Sequence, residues 1–361
     1  MLGTGFSTLR LRVLKRKVIP MLDQRKREVL RAIVQDYVLT AEPVGSRTIA
    51  RRYALGVSPA TIRNEMADLE EMGYLEQPHT SAGRIPSSKG YRFYVDELMD
   101  TTPPSHQYVE LVRRIYTEHA REIETLLRHT VRVLAEATDC LAVAEGPDLA
   151  AGVLNSVQFL LIRPGRAVMV LVTDEGLVDH HILDIPPDIG QRQLAQIAAA
   201  LTHRLAGIPI GQLSRSTLQL IQQELSEYRA VVDLALELLS TTQDDEQRFV
   251  VGGTSNIFKQ PEFRDVERAH ALLTVLNEHQ LISDLMGSSP QGSRPAVIIG
   301  EENPVAAMQS CSCVIATYML DDREVGKIAV IGPTRMDYGR VIGLVDLVTQ
   351  SLSDVLSRRL G

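Results

Sequence analysis

The chain of 361 residues contains no tryptophan, few aromatic residues and only three cysteines. Because aromatic residues make up 4% of the chain and hydrophobic residues 44%, its cores must pack through aliphatic side chains. An odd number of cysteines argues against a disulfide framework and predicts a reducing, cytoplasmic setting. No apolar run approaches the roughly 18–20 residues that a membrane span needs, so we predict no membrane partner. The length predicts two or three domains.

Motifs for catalysis and for cofactor or metal binding are also missing. Cys311 and Cys313 stand two apart in a strand-like run, which leaves a redox or metal pair open. No second Cys or His pair has ligand spacing, so buried small side chains are the favoured interpretation. His180 and His181 occupy adjacent strand positions and therefore face opposite ways. GVLNS and GGTS lack the features of glycine-rich phosphate loops, and Cys140 has no His or Asp motif beside it. We predict no enzyme, cofactor or metal.

Acidic residues are scarce at the start of the chain and abundant later. Residues 1–100 hold 16 Lys+Arg and 12 Asp+Glu, a formal charge of +4, whereas the remainder holds 22 and 33, a charge of −11. A basic head on an acidic body indicates that the head binds a polyanion, although the asymmetry could also arise by chance. Residues 1–21 lack the apolar segment of a secretory signal, so we predict a disordered basic extension or a translation start after Met1.

Three helices are predicted in the basic head. LDQRKREVLRAIVQDYVLT has an apolar stripe at helical spacing and Asp23 as a plausible N-cap. Ser46 can cap a short second helix, SRTIARRYA. Ser58 can cap a third helix, with Pro59 at its first position and Gly73 after its end. This order of a longer helix, a short helix, a tight turn and a last helix is typical of a helix-turn-helix, whose last helix enters the major groove by its N-terminal end.

The first two turns of the third helix carry residue types that suit base recognition. Arg63 can bind guanine through two hydrogen bonds, Asn64 can bind adenine, and Ala60 or the methyl group of Thr61 can touch a thymine methyl. Ser58 and the helix N-terminus favour a phosphate. The alternative is an ordinary capped surface helix.

A wing is predicted after this helix. YLEQ at 74–77 and YRFYV at 91–95 can form two strands, joined by the loop PHTSAGRIPSSKG. Arg84 is expected near the tip of this wing, and both Arg84 and Lys89 are expected to reach a minor groove or phosphates. The head is therefore predicted as a winged helix-turn-helix that binds double-stranded DNA.

The runs SPATIRNEMADLEEMGYLEQPHTSAGRIPSSKGYRFYVDEL, LDQRKREVLRAIVQDYV and GGTSNIFKQPEF closely resemble the HrcA family of heat-inducible transcription repressors. The resemblance begins at about Leu22 and extends to the C-terminus. It implies a dimeric repressor of chaperone genes that binds an inverted-repeat operator called CIRCE and whose active form is promoted by the GroEL chaperonin. It also implies that Ser58, Ala60, Thr61, Arg63 and Asn64 belong to the recognition helix and Arg84 to the wing.

The rest of the chain alternates helical and strand-like segments, which predicts a multidomain α+β protein. VQFLLIR, AVMVLVT and GLVDHHILDI are separated by turns, as in an antiparallel meander. The resemblance implies a GAF-like α+β domain that is interrupted by an inserted dimerisation domain. The predicted domains are residues 22–100 for the winged helix, 101–190 with 262–361 for the GAF-like domain, and 191–261 for the insertion.

Three function classes remain open at this point. The first is a dimeric DNA-binding repressor under chaperonin control. The second is a winged-helix regulator that senses a small molecule in its GAF-like domain. The third is an enzyme with an accessory DNA-binding domain, which the missing active-site motifs disfavour.

Overall fold

The computed structural model describes residues 22–79, 82–119, 123–147, 152–174, 178–213, 215–241, 249–287, 294–320 and 323–360. The predicted basic extension at residues 1–21 lies outside these residues. The chain divides into two compact units. One contains the chain up to Gly146 together with Phe249–Met319 and Gly326–Val355, and the other contains Pro147–Arg248, Leu320–Val325 and Leu356–Gly361. Within the described residues, no helix combines the length and the apolar character that crossing a membrane requires.

A winged helix opens the first unit, as predicted. Its elements are α1 (Gln24–Thr40), α2 (Ser46–Arg52), α3 (Pro59–Glu71), β1 (Leu75–Glu76), β2 (Ile85–Pro86) and α4 (Ser88–Phe93). The three first helices share a core that includes the fully buried side chains of Ile33, Ile49, Ile62 and Leu69. The strands β1 and β2 are antiparallel. The helix α3 stops where predicted, since Gly73 follows it with a φ of 77°, which a residue with a Cβ rarely adopts.

The run YRFYV at 91–95, predicted as a strand, is helical. It belongs to α4 and to a π-helical turn at Tyr94–Leu98. Ser87 starts this helix, because its Oγ accepts a hydrogen bond from the backbone N–H of Gly90 at 3.0 Å. A side chain at Gly90 would collide with the carbonyl oxygen of Tyr74, so α4 packs directly on the chain that leaves α3. Among the described residues, the strands of the wing are therefore β1 and β2, and residues 80–81 between them in the sequence lie outside the description.

Two helices and a buried strand lead into the second unit. They are α5 (His106–His119), α6 (Ile123–Thr138) and β3 (Leu141–Glu145). The second unit then contains β4 (Leu154–Arg163), β5 (Arg166–Thr173), β6 (Val178–Asp184), α7 (Gln191–Leu205), α8 (Arg215–Glu224) and α9 (Arg229–Thr241). Its three strands form the predicted antiparallel meander in the order β4-β5-β6. One face of this sheet packs on the helices through a core that includes Met169, Leu171, Leu194 and Ile197.

The first unit resumes after the insertion and completes a five-stranded sheet. Its remaining elements are β7 (Phe249–Gly252), α10 (Thr254–Ile257), α11 (Val266–Asn277), α12 (His279–Gly287), β8 (Ala296–Ile299), β9 (Cys311–Leu320), β10 (Arg323–Pro333) and α13 (Tyr338–Leu360). The strand order is β7-β3-β10-β9-β8, and we call this the central sheet. Because Ala142 of β3 pairs with Gly252 of β7, the two strands that flank the second unit are neighbours. The predicted multidomain α+β class with an N-terminal winged helix is confirmed.

The contact pattern divides the chain differently from the predicted domain boundaries. We expected an insertion at 191–261 and placed the meander with the GAF-like domain at 101–190. In the structure the meander belongs to the same compact unit as α7, α8 and α9, and this stretch runs from Pro147 to Arg248. The strand β7, expected inside the insertion, belongs to the central sheet. We call Pro147–Arg248 the inserted unit.

The segment GGTSNIFKQ holds the turn between α6 and β3. The side-chain amide of Asn256 donates to the carbonyl oxygens of Ala135 and Cys140, both at 3.0 Å. Gln260 donates to the carbonyl oxygen of Asp139 at 2.9 Å. These bonds satisfy carbonyl groups that the end of α6 leaves without helical partners. A structural role therefore accounts for much of this motif.

Candidate nucleic-acid interface

The start of α3 has the predicted cap. The Oγ of Ser58 accepts a hydrogen bond from the backbone N–H of Thr61 at 3.2 Å, and the two hydroxyl groups lie 3.0 Å apart. Pro59 occupies the first turn, where its missing N–H leaves no broken bond. The first turn contains no acidic residue. This helix end is therefore free of the negative side chains that would repel a phosphate.

Three predicted contact residues lie exposed on the first two turns. Ala60, Arg63 and Asn64 are all exposed, whereas Thr61 is half-buried against the cap. Within the part of the chain that the structure describes, Arg63 and Asn64 make no hydrogen bond or ion pair to protein groups. Their donors and acceptors are therefore available to an external partner. This pair is the strongest feature of a base-reading surface on the helix.

Acidic residues further along α3 are neutralised by α1. The ammonium group of Lys26 lies 2.9 Å from the carboxylate of Glu65 and 3.0 Å from that of Asp68. Hydrogen bonding to Glu65, and then to Asp68 and Asp23, raises the pKa of Lys26 above its ordinary value. Sequence reasoning missed Lys26, because only the packing of α1 on α3 brings it to these carboxylates. The result is that part of the negative charge on the recognition helix is offset from within the domain.

Arg84, expected near the tip of the wing, is bonded to the rest of the domain through both its backbone and its side chain. Its backbone N–H donates to the carbonyl oxygen of Val44, and its carbonyl oxygen accepts from the N–H of Val44, each at 2.9 Å, directly before β2 begins. Its Nε donates to the carboxylate of Glu70 at 2.7 Å. Glu70 belongs to the last turn of α3, so the guanidinium group is bound to the far end of the recognition helix.

Lys89 also lies at that end. It is the second residue of α4 rather than part of a wing loop. Its ammonium group donates to the carbonyl oxygen of Met72 at 2.6 Å and lies 4.3 Å from the ring centroid of Tyr74. Met72 is the C-cap of α3, so Lys89 binds the negative end of the helix dipole. The structure thus groups Ser58, Ala60, Thr61, Arg63 and Asn64 at one end of α3, and Arg84 and Lys89 at the other.

The cysteines and histidines do not form a reactive site in the described residues. Cys140, Cys311 and Cys313 are free and buried, as the favoured interpretation predicted for the last two. Burial raises the pKa of the Cys311 thiol to about 11, so this thiol is uncharged at neutral pH. His181 is hydrogen-bonded to Asp179 at 2.6 Å. A search of the described residues finds no group of three or more His, Cys, Asp or Glu side chains able to hold a metal ion.

Comparisons with known proteins agree with the assignment of an N-terminal winged helix. Residues 21–98 match the family profile described as a winged helix-turn-helix transcription repressor, HrcA DNA-binding. Residues 124–342 match the profile described as the HrcA protein C terminal domain. A crystal structure described as a hypothetical protein superimposes with a TM-score of 0.66 at 22% identity, covering 94% of this chain and 99% of the other. That likeness concerns the fold alone.

Curated relatives are similar to this chain over nearly their whole length. The heat-inducible transcription repressor HrcA of Symbiobacterium thermophilum is 44% identical over 337 residues, which cover 93% of this chain and 99% of the relative. The protein of the same name from Moorella thermoacetica is 44% identical over 343 residues, covering 93% and 98%. Both relatives are named as transcription repressors. This chain belongs to the family of heat-inducible transcription repressors HrcA and has that family's winged-helix DNA-binding domain.

Proposed function

We propose that this repressor acts as a homodimer that binds an inverted-repeat operator of the CIRCE type upstream of heat-shock chaperone genes, and that GroEL promotes its active form. One observation carries the operator part of the proposal. Arg63 and Asn64 are exposed at the start of a capped helix and have no protein partner among the described residues. A winged helix that presents such a pair at the N-terminal end of α3 is suited to read bases in the major groove.

Five residues of α3 and its cap would make the contacts. Arg63 would bind guanine through two parallel hydrogen bonds, and Asn64 would bind adenine through its amide. Ala60 is exposed and small enough to touch a thymine methyl. Ser58 and Thr61 form the cap, so they would place the open N–H groups of the first turn against a phosphate.

Operator binding of Arg63→Ala tests this assignment. The variant should lose roughly 1–3 kcal/mol of binding free energy on operator DNA and far less on random DNA of equal length. Arg114→Ala is the matched control, since Arg114 is an exposed arginine on α5 and lies outside the winged helix. Equal losses on operator and random DNA would show that Arg63 contacts only the backbone.

The outer face of the meander supports dimerisation through the inserted unit. Four large apolar side chains on β4 and β6 are exposed by 51–63%, namely Leu160, Ile162, Val178 and Ile182. Leu160 pairs with Val168 of β5, and Val168 pairs with Ile182 of β6, so an apolar row crosses the whole sheet. Contiguous exposed apolar surface of this kind is typical of protein–protein contacts. A second copy of the chain is the proposed occupant, because a two-fold protein matches an inverted repeat.

Light scattering of the full chain tests the dimer. Leu160→Asp with Ile182→Asp should convert the dimer to a monomer at micromolar concentration, since each change places a charge in the proposed interface. Leu220→Asp provides the matched control, because Leu220 on α8 is exposed by 62% and does not belong to the sheet. A wild-type monomer, or a dimer that survives the double change, would refute this interface.

The topology of the central sheet supports chaperonin control. β3 and β7 are neighbours in the sheet, yet the whole inserted unit separates them along the chain. Pairing strands so distant in sequence is slow and leaves apolar surface exposed during folding. A chaperonin captures species of this kind. When heat-damaged proteins occupy GroEL, less repressor would reach its DNA-binding form, and chaperone genes would be transcribed.

Refolding of the protein from denaturant tests this control. Operator binding should recover faster and more fully with GroEL and ATP than without them, and an unfolded competitor protein should cancel the gain. Recovery that is equal in all three conditions would exclude chaperonin control.

A cleft in the first unit supports the second candidate function, a regulator that senses a small molecule. The cleft has a volume of about 480 Å³ and lies between α6 and the segment that contains β7 and α10. Its lining includes the charged side chains of Arg132 and Lys259 and the backbone of Gly252 and Gly253. If refolding proves indifferent to GroEL, a ligand in this cleft becomes the better explanation of how repression is released.

A further inference from the structure

Two arginines attach the winged helix to the domain of the central sheet. Arg92 of α4 donates from Nε to the carboxylate of Glu302 at 2.8 Å and from Nη2 to the carbonyl oxygen of Val297 at 2.7 Å. Its Nη1 donates to Asp96 at 3.3 Å, and Nη2 also bonds to the carboxylate of Glu302. One guanidinium group therefore bonds both to the winged helix and to the end of β8, with its donors fixed in a planar fork.

The second arginine belongs to the body and bonds to the winged helix at α1. Arg335, between β10 and α13, donates to the carbonyl oxygen of Val38 in the last turn of α1 at 3.3 Å. The same guanidinium group donates to Gln260 at 2.9 Å and forms an ion pair with Glu262. The side chain of Arg335 is only 14% exposed, so these bonds are largely shielded from water. The segment GGTSNIFKQPEF thus supplies, through Gln260 and Glu262, the support for this arginine.

The segment between the winged helix and α5 is not a free linker. The backbone N–H of Thr102 donates to the carbonyl oxygen of Gly339 at 3.2 Å. A Cβ at Gly339 would lie 2.9 Å from the carbonyl oxygen of Asp100, and one at Gly343 would collide with that of Thr102. Because these glycines stand four residues apart on one face of α13, the chain at 100–102 lies directly on the helix backbone. The segment is therefore packed on the body of the protein at this point.

From these three attachments we infer that Arg92 and Arg335 are positioning residues that set the half-site spacing the repressor accepts. The inference rests on the proposed dimeric binding to an inverted repeat. The two arginines bond to protein groups, and through these bonds the body of each protomer orients its own recognition helix. In a two-fold dimer, the distance and rotation between two fixed recognition helices determine one spacing of half-sites along the duplex.

A panel of operators with altered spacers tests the inference on the full-length protein. One to four base pairs are added to or removed from the spacer, and a duplex with a single half-site completes the panel. The wild-type protein should bind the operator with native spacing most tightly. Its affinity should fall at least tenfold when the altered spacer turns the two half-sites out of helical phase. Arg92→Met with Arg335→Met should lose about tenfold on the native spacing, keep its half-site affinity and show a flatter dependence on spacing.

Two further variants separate positioning from folding. Arg113→Met is the matched control, because Arg113 on α5 is 72% exposed and pairs only within its helix. Glu302→Gln removes the negative charge of the partner on the body side and should flatten the spacing profile in the same direction as loss of Arg92. A double variant that keeps the wild-type profile, or that weakens half-site and operator binding equally, overturns the inference. If wild type itself gains nothing from the second half-site, the proposed dimeric binding fails, and this inference with it.

A different observation carries a second inference, about the two cations at the far end of α3. Arg84 binds the carboxylate of Glu70, and Lys89 binds the terminal carbonyl of Met72. Both charged groups are thus bonded to atoms of the same domain, at the end of α3 opposite to Arg63. We infer that Arg84 and Lys89 act on DNA recognition by holding the C-terminal end of α3, and not by neutralising phosphates.

The salt dependence of binding distinguishes these roles. Losing a phosphate contact lowers the magnitude of the slope of log K against log salt by roughly 0.9 per contact. Arg84→Met and Lys89→Met should leave the slope unchanged while lowering operator affinity about threefold to tenfold relative to random DNA. Glu70→Gln should reproduce the effect of Arg84→Met, because it breaks the same ion pair from the helix side. A slope reduced by about one for either cation, or tighter binding by Glu70→Gln, would overturn this inference.

Discussion

The two ends of the recognition helix differ in how their polar groups are used. At the N-terminal end, Arg63 and Asn64 are exposed and have no protein partner among the described residues. At the C-terminal end, Arg84 binds the side chain of Glu70, and Lys89 and Ser87 bind the carbonyl groups of Met72 and Gly73. One end presents groups to an external partner, and the other is fixed to its own domain.

This difference shows that residue type alone does not tell whether a cation of the domain is bound by protein groups. Arg84 and Lys89 are cations in a winged helix, as DNA contacts commonly are, yet both are bound within the protein. A helix held firmly at one end can present the other in a defined orientation without losing flexibility on binding. Preorganisation of this kind raises affinity by lowering the entropy cost of association.

The largest effect is expected at the fixed end, from Gly90→Ala. The added Cβ would collide with the carbonyl oxygen of Tyr74, and backbone must shift to accommodate it. We expect a loss of about 3 kcal/mol in the free energy of local unfolding, which is the upper part of the usual range for overpacking. Hydrogen exchange of the amide groups of α3 and α4 in the full chain measures it.

The control for that change is Gly287→Ala at the end of α12. A Cβ at Gly287 would meet nothing within 4 Å, so protection of the α12 amides should change by less than about 0.5 kcal/mol. Equal protection in wild type and Gly90→Ala would mean that α4 does not pack on the end of α3 as described.

A smaller effect is expected from Ser87→Ala. Ser87 is buried, and its Oγ accepts from the N–H of Gly90 while donating to the carbonyl oxygen of Gly73 at 2.7 Å. The change removes a helix cap and leaves a carbonyl group without its partner, at a cost of about 2 kcal/mol. Hydrogen exchange of α4 reports the loss, and an unchanged rate would contradict the assigned cap.

The smallest effect on stability is expected at the open end, from Ser58→Ala. This cap is exposed, so water can replace the lost bond to the N–H of Thr61, and the cost should be about 1 kcal/mol. Exchange of the first amides of α3 measures it beside Ser87→Ala. A larger loss for Ser58→Ala than for Ser87→Ala would reverse the comparison of the two ends.

Local patterns predicted much of α3 and little of its surroundings. The cap at Ser58, the proline at the first position and the stop at Gly73 depend on neighbouring residues, and all three are confirmed. YRFYV was predicted as a strand because aromatic and β-branched residues favour strands. The capping hydroxyl of Ser87 and the close packing at Gly90 favour a helix there, and tertiary contact prevails over propensity.

Local sequence patterns could not predict contacts between residues that are distant in the sequence. Nothing in the vicinity of Arg335 indicates that it bonds to the end of α1, and nothing near Arg84 identifies Glu70 as its partner. The meander was predicted correctly, because its turns are local, whereas its assignment to a compact unit depends on how it packs against α7. The candidate contacts on α3 could be predicted because they are defined by the absence of such packing.

The most direct test of the central claim compares an exposed residue from each end of α3. Asn64→Ala and Glu71→Ala both truncate an exposed polar side chain of the same helix. Dissociation constants are measured for both variants on operator and on scrambled DNA at one salt concentration. Asn64→Ala should weaken operator binding about tenfold, equivalent to roughly 1.4 kcal/mol, and leave scrambled DNA almost unaffected. Glu71→Ala should leave the preference for operator over scrambled DNA unchanged. If Glu71→Ala reduces that preference as much as Asn64→Ala does, the two ends of the helix do not have the separate roles described here.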